Sequence, residues 1–363
     1  MSSPVRIEIA GRAIGEGCAP YVICEISANH NGDLDRALAL VDAAAATGAD
    51  AIKIQTYTPD TLTIDCDRPD FVIPDGPWQG RTLYDLYGEA QTPFEWHAPL
   101  FERARALGVT LFSSPFDRSA VDLLHSLDCP AYKIASFEAV DLPLVAYVAR
   151  LGRPMIVSTG MCNLGEIEAV VRTARENGCS QLALLHCVSS YPAPDEQSNI
   201  RTIPHLSEAF ACPVGLSDHT HGTAVATAAI ALGASIVEKH FTLARADGGP
   251  DSAFSLEPDE FAMLVTDTKR AFTALGRVRY DLQDCERGSK VFRRSLYVIK
   301  DVAAGEQLTE ANVRSIRPGY GLPPSYSAEV FGARATRALT RGTALARDMY
   351  VVEAGQEACR QPR

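Results

Sequence analysis

The chain has 363 residues, more than one hydrophobic core usually accommodates, so a large domain followed by a small one is expected. Hydrophobic residues make up 46%, enough for a substantial core, and a formal net charge of −11 argues against nonspecific binding to nucleic acid or to an anionic membrane. An acidic surface still leaves room for an anionic substrate, because a local group of lysines reverses the sign of the potential. The opening stretch "MSSPVRIEIAGRAIGEG" has no apolar leader-like run and no spanning segment, so a cytoplasmic location is expected. The 10 cysteines are scattered without a CxxC pair, which predicts reduced thiols, and Cys24 and Cys187, inside apolar runs, read as small hydrophobes.

Up to Gly276 two patterns alternate. Short β-rich runs come in the order "YVICEIS", "AIKIQT", "VTLFSSP", "AYKIAS", "PMIVST", "LALLHCV", "PVGLSD" and "SIVEKHF". Between them lie segments of helical period. "DLDRALALVDAAAATG" predicts a stripe of Leu34, Leu38 and Val41 and a stop at Gly48. "EWHAPLFERARALG" stops at Gly108, and "NLGEIEAVVRTARENG" starts on an Asn cap and stops at Gly178. The strand runs are nearly continuously apolar, as they are when helices cover both faces. Eight such units, without a GxGxxG turn after the first strand, favour a (β/α)8 TIM barrel over a doubly wound open sheet. The barrel is assigned residues 1–276. Residues 277–291, "RVRYDLQDCERGSKV", are polar, break the rhythm and read as a linker. Residues 292–352 form a second, small, mixed or β-rich domain dense in basic side chains, and residues 353–363 form a tail.

In a (β/α)8 barrel the functional groups gather at the carboxyl ends of the strands. Those ends carry Glu25 and Ser27, Lys53 and Gln55, Ser113 and Ser114, Lys133 and Ser136, Ser158 and Thr159, Ser189, Ser217 and His219, and Glu238 and His240. Side chains two apart on a strand share a face, so these pairs point together into the barrel mouth. A single lysine there reads as an ion-paired core residue, whereas Lys53 and Lys133 among several hydroxyls predict a site for a phosphate or a carboxylate. His219 and His240 close the seventh and eighth strands, about 4.8 Å apart in a parallel sheet. Two imidazoles so placed can share one divalent ion, with water and substrate completing its shell. His221 is the alternative ligand, displaced into the following loop, and His30 and His186 read as structural. The loop "GGPDSAFSLEP" lies at the same face and offers Asp251. Tyr84 and Tyr87, at helical spacing, read as packing.

The stretches "EISANHNGDLDRALALVDAAAATGADAIKIQTYTPDTLTID", "FSSPFD", "YKIASFE", "STGM", "LLHCVSSYPAPDEQSNI", "VGLSDHTHG", "VEKHFTL", "GGPDSAFSLEP" and "RRSLYVIKDVAAGEQLTEANVRSIRPGYGLPP" together resemble the sialic acid synthase family, within it the branch that makes pseudaminic acid. The resemblance covers almost the whole chain and identifies the small domain as similar to the antifreeze-like SAF domain, of β-clip type. It implies a condensation of phosphoenolpyruvate (PEP) with an open-chain diacetamido-trideoxy hexose, releasing phosphate by C–O cleavage. It also implies a Mn2+ or Mg2+ ion held by His219 and His240. Lys53, Gln55, Lys133, Ser136, Ser158 and Ser217 match PEP-binding positions, and Ser114 matches a hydroxyl position. Glu25 matches a carboxylate near the reacting carbons. Glu138, Tyr191 and Asp251 match sugar-side positions. Arg317 matches an arginine that reaches into the barrel of a partner subunit, which implies a domain-swapped homodimer. Ser189 stands where the sialic enzymes carry asparagine, and "KIASFE" departs from their Gly-rich form. Both differences favour the pseudaminic branch and suggest Phe137 as an apolar contact for a 6-deoxy sugar. A synthase for N-acetylneuraminate or legionaminate is the near alternative, and a metal-dependent sugar-acid aldolase the more distant one.

Overall fold

The computed structural model describes residues 5–353, so the expected tail lies, beyond Glu353, outside the described residues. The chain separates into two compact units, Met1–Gly276 and Arg277–Arg363, and the segment expected as a linker groups with the second.

The first unit opens with an antiparallel hairpin, β1 (Arg6–Ile9) and β2 (Arg12–Gly15), in which Ile7 stands opposite Ile14. Its turn residues Ala10 and Gly11 both have positive φ, the backbone that a two-residue hairpin turn demands. Eight parallel strands then close a barrel: β3 (Tyr21–Glu25), β4 (Ala51–Thr56), β5 (Thr110–Pro115), β6 (Tyr132–Ile134), β7 (Met155–Ser158), β8 (Leu182–Cys187), β9 (Val214–Asp218) and β10 (Ile236–His240). They are the eight apolar runs read from the sequence, and β10 closes the ring by pairing with β3, His240 opposite Glu25. The hairpin contacts the opposite end from the carboxyl ends. Arg12 pairs with Asp50, just before β4, and Glu8 N–H donates to Gln181, just before β8. Ile7, Ile9 and Ile14 join the barrel core there.

Helices follow the strands. The first, α1 (Leu34–Ala46), is capped by the Asp33 carboxylate, which accepts from Arg36 N–H. Its buried stripe is Ala37, Leu40, Val41 and Ala44, whereas Leu34 and Leu38 sit on its flank. The predicted stripe was therefore partly displaced: Val41 is buried as expected, but it shares its face with Ala37, Leu40 and Ala44 rather than with Leu34 and Leu38. The helix His97–Leu107 ends on Gly108 in the left-handed region, and Leu164–Glu176 opens on an Asn163–Glu166 capping box, both at the signals read from the sequence.

The second unit has its own core around Leu296, Val298, Leu308, Val313, Val330 and Leu345. Two antiparallel pairs frame it, β11 (Ser295–Val298) with β12 (Val313–Ile316), and β13 (Arg334–Ala335) with β14 (Tyr350–Val351).

Candidate active site

The alternation along the strands decides what enters the barrel. Glu25, Lys53, Lys133, Ser217 and Glu238 all project inward and are almost fully buried. Lys53 Nζ lies 2.6 Å from Glu25 Oε2 and 3.6 Å from Glu238 Oε1, and donates to Ser114 Oγ at 3.2 Å. Lys133 Nζ donates to the same Glu238 Oε1 at 3.0 Å, and Ser217 Oγ to it at 3.2 Å. Glu238 is thus the hub of a buried chain, Glu25–Lys53–Glu238–Lys133. Burial opposes its charge, but the two lysines prevail and hold its carboxyl down to about 2. Burial dominates at Glu25, where Lys53 only partly offsets it, and the carboxyl is raised towards its neutral form. Burial likewise lowers Lys133, while Lys53 stays firmly cationic, because its two carboxylates outweigh its burial. Two firm charges and two groups drawn towards neutrality give this site a means of exchanging protons with an anionic ligand.

Hydroxyls and amides line the next layer. Gln55 Nε2 donates to Glu25 Oε1 at 3.1 Å and to Ser27 Oγ at 3.0 Å, and Ser27 in turn bonds Asp251. Ser158 Oγ is buried without a partner, so it is free to donate to a ligand. Gly160 N–H donates to Ser136 Oγ at 3.1 Å, and a Cβ at Gly160 would collide with the hydroxyls of Ser189 and Ser136, so three mouth loops meet at a glycine. Glu138 follows on the same loop as Ser136. Its Oε2 is buried without a partner, and burial pushes its carboxyl up to about 7. Phe137 beside it is 58% exposed, turned to solvent rather than into the core.

At the top, the His219 and His240 rings lie 5.5 Å apart, centre to centre. His219 Nδ1 is 3.0 Å from Val188 O, and a carbonyl only accepts, so Nδ1 carries the proton. Burial opposes charge on this ring, but Cys187 and the Val188 carbonyl outweigh it and raise the imidazole above its ordinary value. His240 Nδ1 is buried without a hydrogen-bond partner, 4.0 Å from Asp251 Oδ2, and burial with the nearby His219 keeps this imidazole neutral. Two imidazoles beside a carboxylate suit a divalent cation, which takes the place of the proton on the nitrogen it binds. Among the described residues no group of three or more His, Cys, Asp and Glu is arranged as a metal cage, so an ion here would draw its remaining ligands from solvent or substrate. Tyr191 stacks on this pair, 4.3 Å from His219 and 5.2 Å from Phe254. His221 is exposed, and His30 and His186 are tied to Gly32 and to Ser198 O, as structural histidines are.

The barrel therefore brings together Glu25, Lys53, Gln55, Ser114, Lys133, Ser136, Glu138, Ser158, Ser189, Tyr191, Ser217, His219, His240 and Asp251. Arg317 is exposed in the second unit, on the turn after β12. Three contributors were given no role at the site from the sequence. The sequence places Glu238 at the mouth on the face it shares with His240, but without a role. Cys187 is more than a small hydrophobe: its Sγ lies 3.8 Å from His219 Nδ1 and 3.7 Å from Ser189 Oγ, and although burial opposes ionisation, His219 draws the thiol down to about 7. Trp78 donates to Pro250 O at 2.9 Å and packs near Tyr191 from a long excursion after β4, with no local signal to announce it.

A closed parallel barrel with charged side chains at its carboxyl mouth and a small β-rich second unit defines a class of α/β enzyme. Residues 40–280 match the NeuB family and residues 293–351 the SAF domain, and the chain belongs to the NeuB family. It is 45% identical to a pseudaminic acid synthase of Campylobacter jejuni, over 90% of this chain and 95% of that one. A pseudaminic acid synthase of Helicobacter pylori is 43% identical over 91% of this chain and 97% of its own. Among solved structures, an N-acetylneuraminic acid synthetase of Leptospira borgpetersenii superposes with a TM-score of 0.71 at 31% identity, covering 79% of this chain and 95% of that one.

Proposed function

We propose that the chain is a pseudaminic acid synthase, condensing PEP with open-chain 2,4-diacetamido-2,4,6-trideoxy-L-altrose. The observation that carries this reading is the buried Glu25–Lys53–Glu238–Lys133 chain in the same barrel mouth as the His219–His240 pair, in a protein 43–45% identical to relatives of that name. Lys53 and Lys133, with Ser114, Ser136, Ser158 and Ser217, bind the carboxylate and phosphate of PEP, and Gln55 orients it. C3 of PEP bonds to the aldehyde carbon, whose oxygen takes up a proton. Water adds at C2, and the C2–O bond to phosphate breaks. Glu25 in its ionised form, made more basic by burial, takes the proton of that water. Glu138, Tyr191 and Asp251 face the sugar, and Ser189 closes the cradle at Gly160. A divalent cation, Mn2+ or Mg2+, held by His219 and His240 supplies Lewis-acid polarisation of the sugar carbonyl when bound.

Arg317 completes this reading as a contact to the sugar in a second copy's barrel, within a domain-swapped homodimer. Mixing Arg317→Ala with a barrel-inactive variant should restore activity; mixtures as inactive as their parts would remove the swap. The substrate itself is tested by incubating the enzyme with PEP and, in turn, the altro sugar, the corresponding legionaminate precursor and N-acetylmannosamine. Phosphate release should be fastest with the altro sugar. Faster release with another sugar reassigns the product, and turnover without PEP points to an aldolase. No helix among the described residues is long and apolar enough to cross a membrane.

A further inference from the structure

On β9 and β10 the inward residues form the site, and the outward residues between them form a second buried pair. Lys239 stands opposite Asp218 in the strand register, one rung below the two histidines. Lys239 Nζ donates to Asp218 Oδ2 at 2.7 Å and to Thr220 O at 2.6 Å. Asp218 Oδ1 accepts from Thr220 N–H at 3.0 Å and from its hydroxyl at 2.8 Å. Both side chains are 1% exposed. These bonds close a ring around the Asp218–Thr220 turn, and His219 is the residue enclosed. The same ring ties that turn to the residue immediately before His240. No backbone rung does this, since the β9–β10 ladder ends at the Asp218–Lys239 pair itself.

We propose that the buried Asp218–Lys239 pair is a positioning device that fixes the spacing and aim of His219 and His240 for the cation they share. The inference rests on the metal reading above. A buried ion pair is a poor source of net stability, because well-packed apolar side chains of like volume serve as well or better. What such side chains cannot do is brace a turn with two directed hydrogen bonds within it and hold it to a neighbouring strand with two more. Removing the groups that orient a metal-binding histidine typically lowers metal affinity by about 10–100-fold.

The test is the double variant Asp218→Leu/Lys239→Met in the full chain, read by Mn2+ titration with electron paramagnetic resonance of the free ion, alongside the thermal midpoint. His240→Ala serves as the control that abolishes binding. The expected result is a midpoint close to the parent's with Mn2+ affinity weakened by about 10-fold or more. A folded double variant that binds Mn2+ within twofold of the parent overturns the proposal. Should the double variant not fold, Asp218→Glu keeps the charge and lengthens the arm by one methylene. Weakened Mn2+ binding by that folded variant supports the clamp, and parent-like binding overturns it. A parent that binds no Mn2+ at all overturns the metal reading, and the clamp with it. That outcome is distinguishable because it appears before any variant is made.

Discussion

The two ends of the barrel spend their buried residues differently. At the amino end the hairpin presents Ile7, Ile9 and Ile14, and the barrel closes on apolar packing. At the carboxyl end the same strands bury Glu25, Lys53, Lys133, Glu238, His219 and His240, and leave Ser158 Oγ, Glu138 Oε2 and His240 Nδ1 without partners. Burying polar groups without partners costs stability. A fold tolerates that at one end when the other end and the helical shell hold it together. The contrast assigns stability to the base and chemistry to the mouth, and substitutions at each end should separate the two.

The largest effect is expected at the top of the mouth. His240→Ala should remove metal binding and lower kcat/KM by on the order of 10³-fold, the size of several kcal/mol of carbonyl polarisation. Binding of Mn2+ and turnover near the parent's would break the assignment of this end to metal chemistry. Next comes Lys53→Ala. It removes a charged donor and leaves Glu25 and Glu238 facing one lysine. The KM for PEP should rise by roughly 10–100-fold, as loss of a charge-assisted hydrogen bond implies, with the KM for the sugar little changed. A rise confined to the sugar's KM would place the lysine on the other substrate.

A smaller effect separates mouth from base by pH. Burial raises the Glu138 carboxyl from its usual range to about 7, so the folded chain binds its proton more tightly than the unfolded chain does. Between about pH 4.5 and 7 the native state therefore holds more protons at this site, and its contribution to stability falls as pH rises. Glu138→Gln removes that dependence. Its thermal midpoint relative to the parent's should climb across this window and level off above about pH 7, by a few degrees in all. A constant difference from pH 5 to 8 would show that the carboxyl titrates normally.

The fold was legible because both periods were clean: eight apolar runs became the eight strands, and Asn163, Gly108 and Gly178 marked helix ends where the backbone needs them. The α1 stripe was partly misplaced because Ala37 and Ala44, which share the buried face with Leu40 and Val41, carry little hydrophobic signal. The hairpin was overlooked, although "IEIAGRAIG" alternates around a glycine. At the site, strand-end position and alternation place Lys53, Lys133, His219 and His240 together. They do not say that Glu238 bridges both lysines, because that needs the barrel's closure to bring β4, β6 and β10 to one point. Cys187 misled for a related reason. Its run is apolar, yet period two turns it inward against His219. Trp78 reaches the mouth from a long irregular segment, and no periodicity describes such a path.

The smallest change probes the base. Ile14 is fully buried and faces Ile7 across the hairpin, so Ile14→Val removes one methylene from packed surroundings. That typically costs about 0.5–1.5 kcal/mol, a shift of a few degrees in the thermal midpoint of a protein this size. No residue of the hairpin contributes to the charged chain or to the histidine pair, so kcat and both KM values should stay within twofold of the parent's. If this substitution instead changed the KM for PEP while leaving the midpoint alone, packing at the base would be setting the geometry of Lys53 through the strands. The two ends of the barrel would then be one mechanical unit rather than a stable floor beneath a strained mouth.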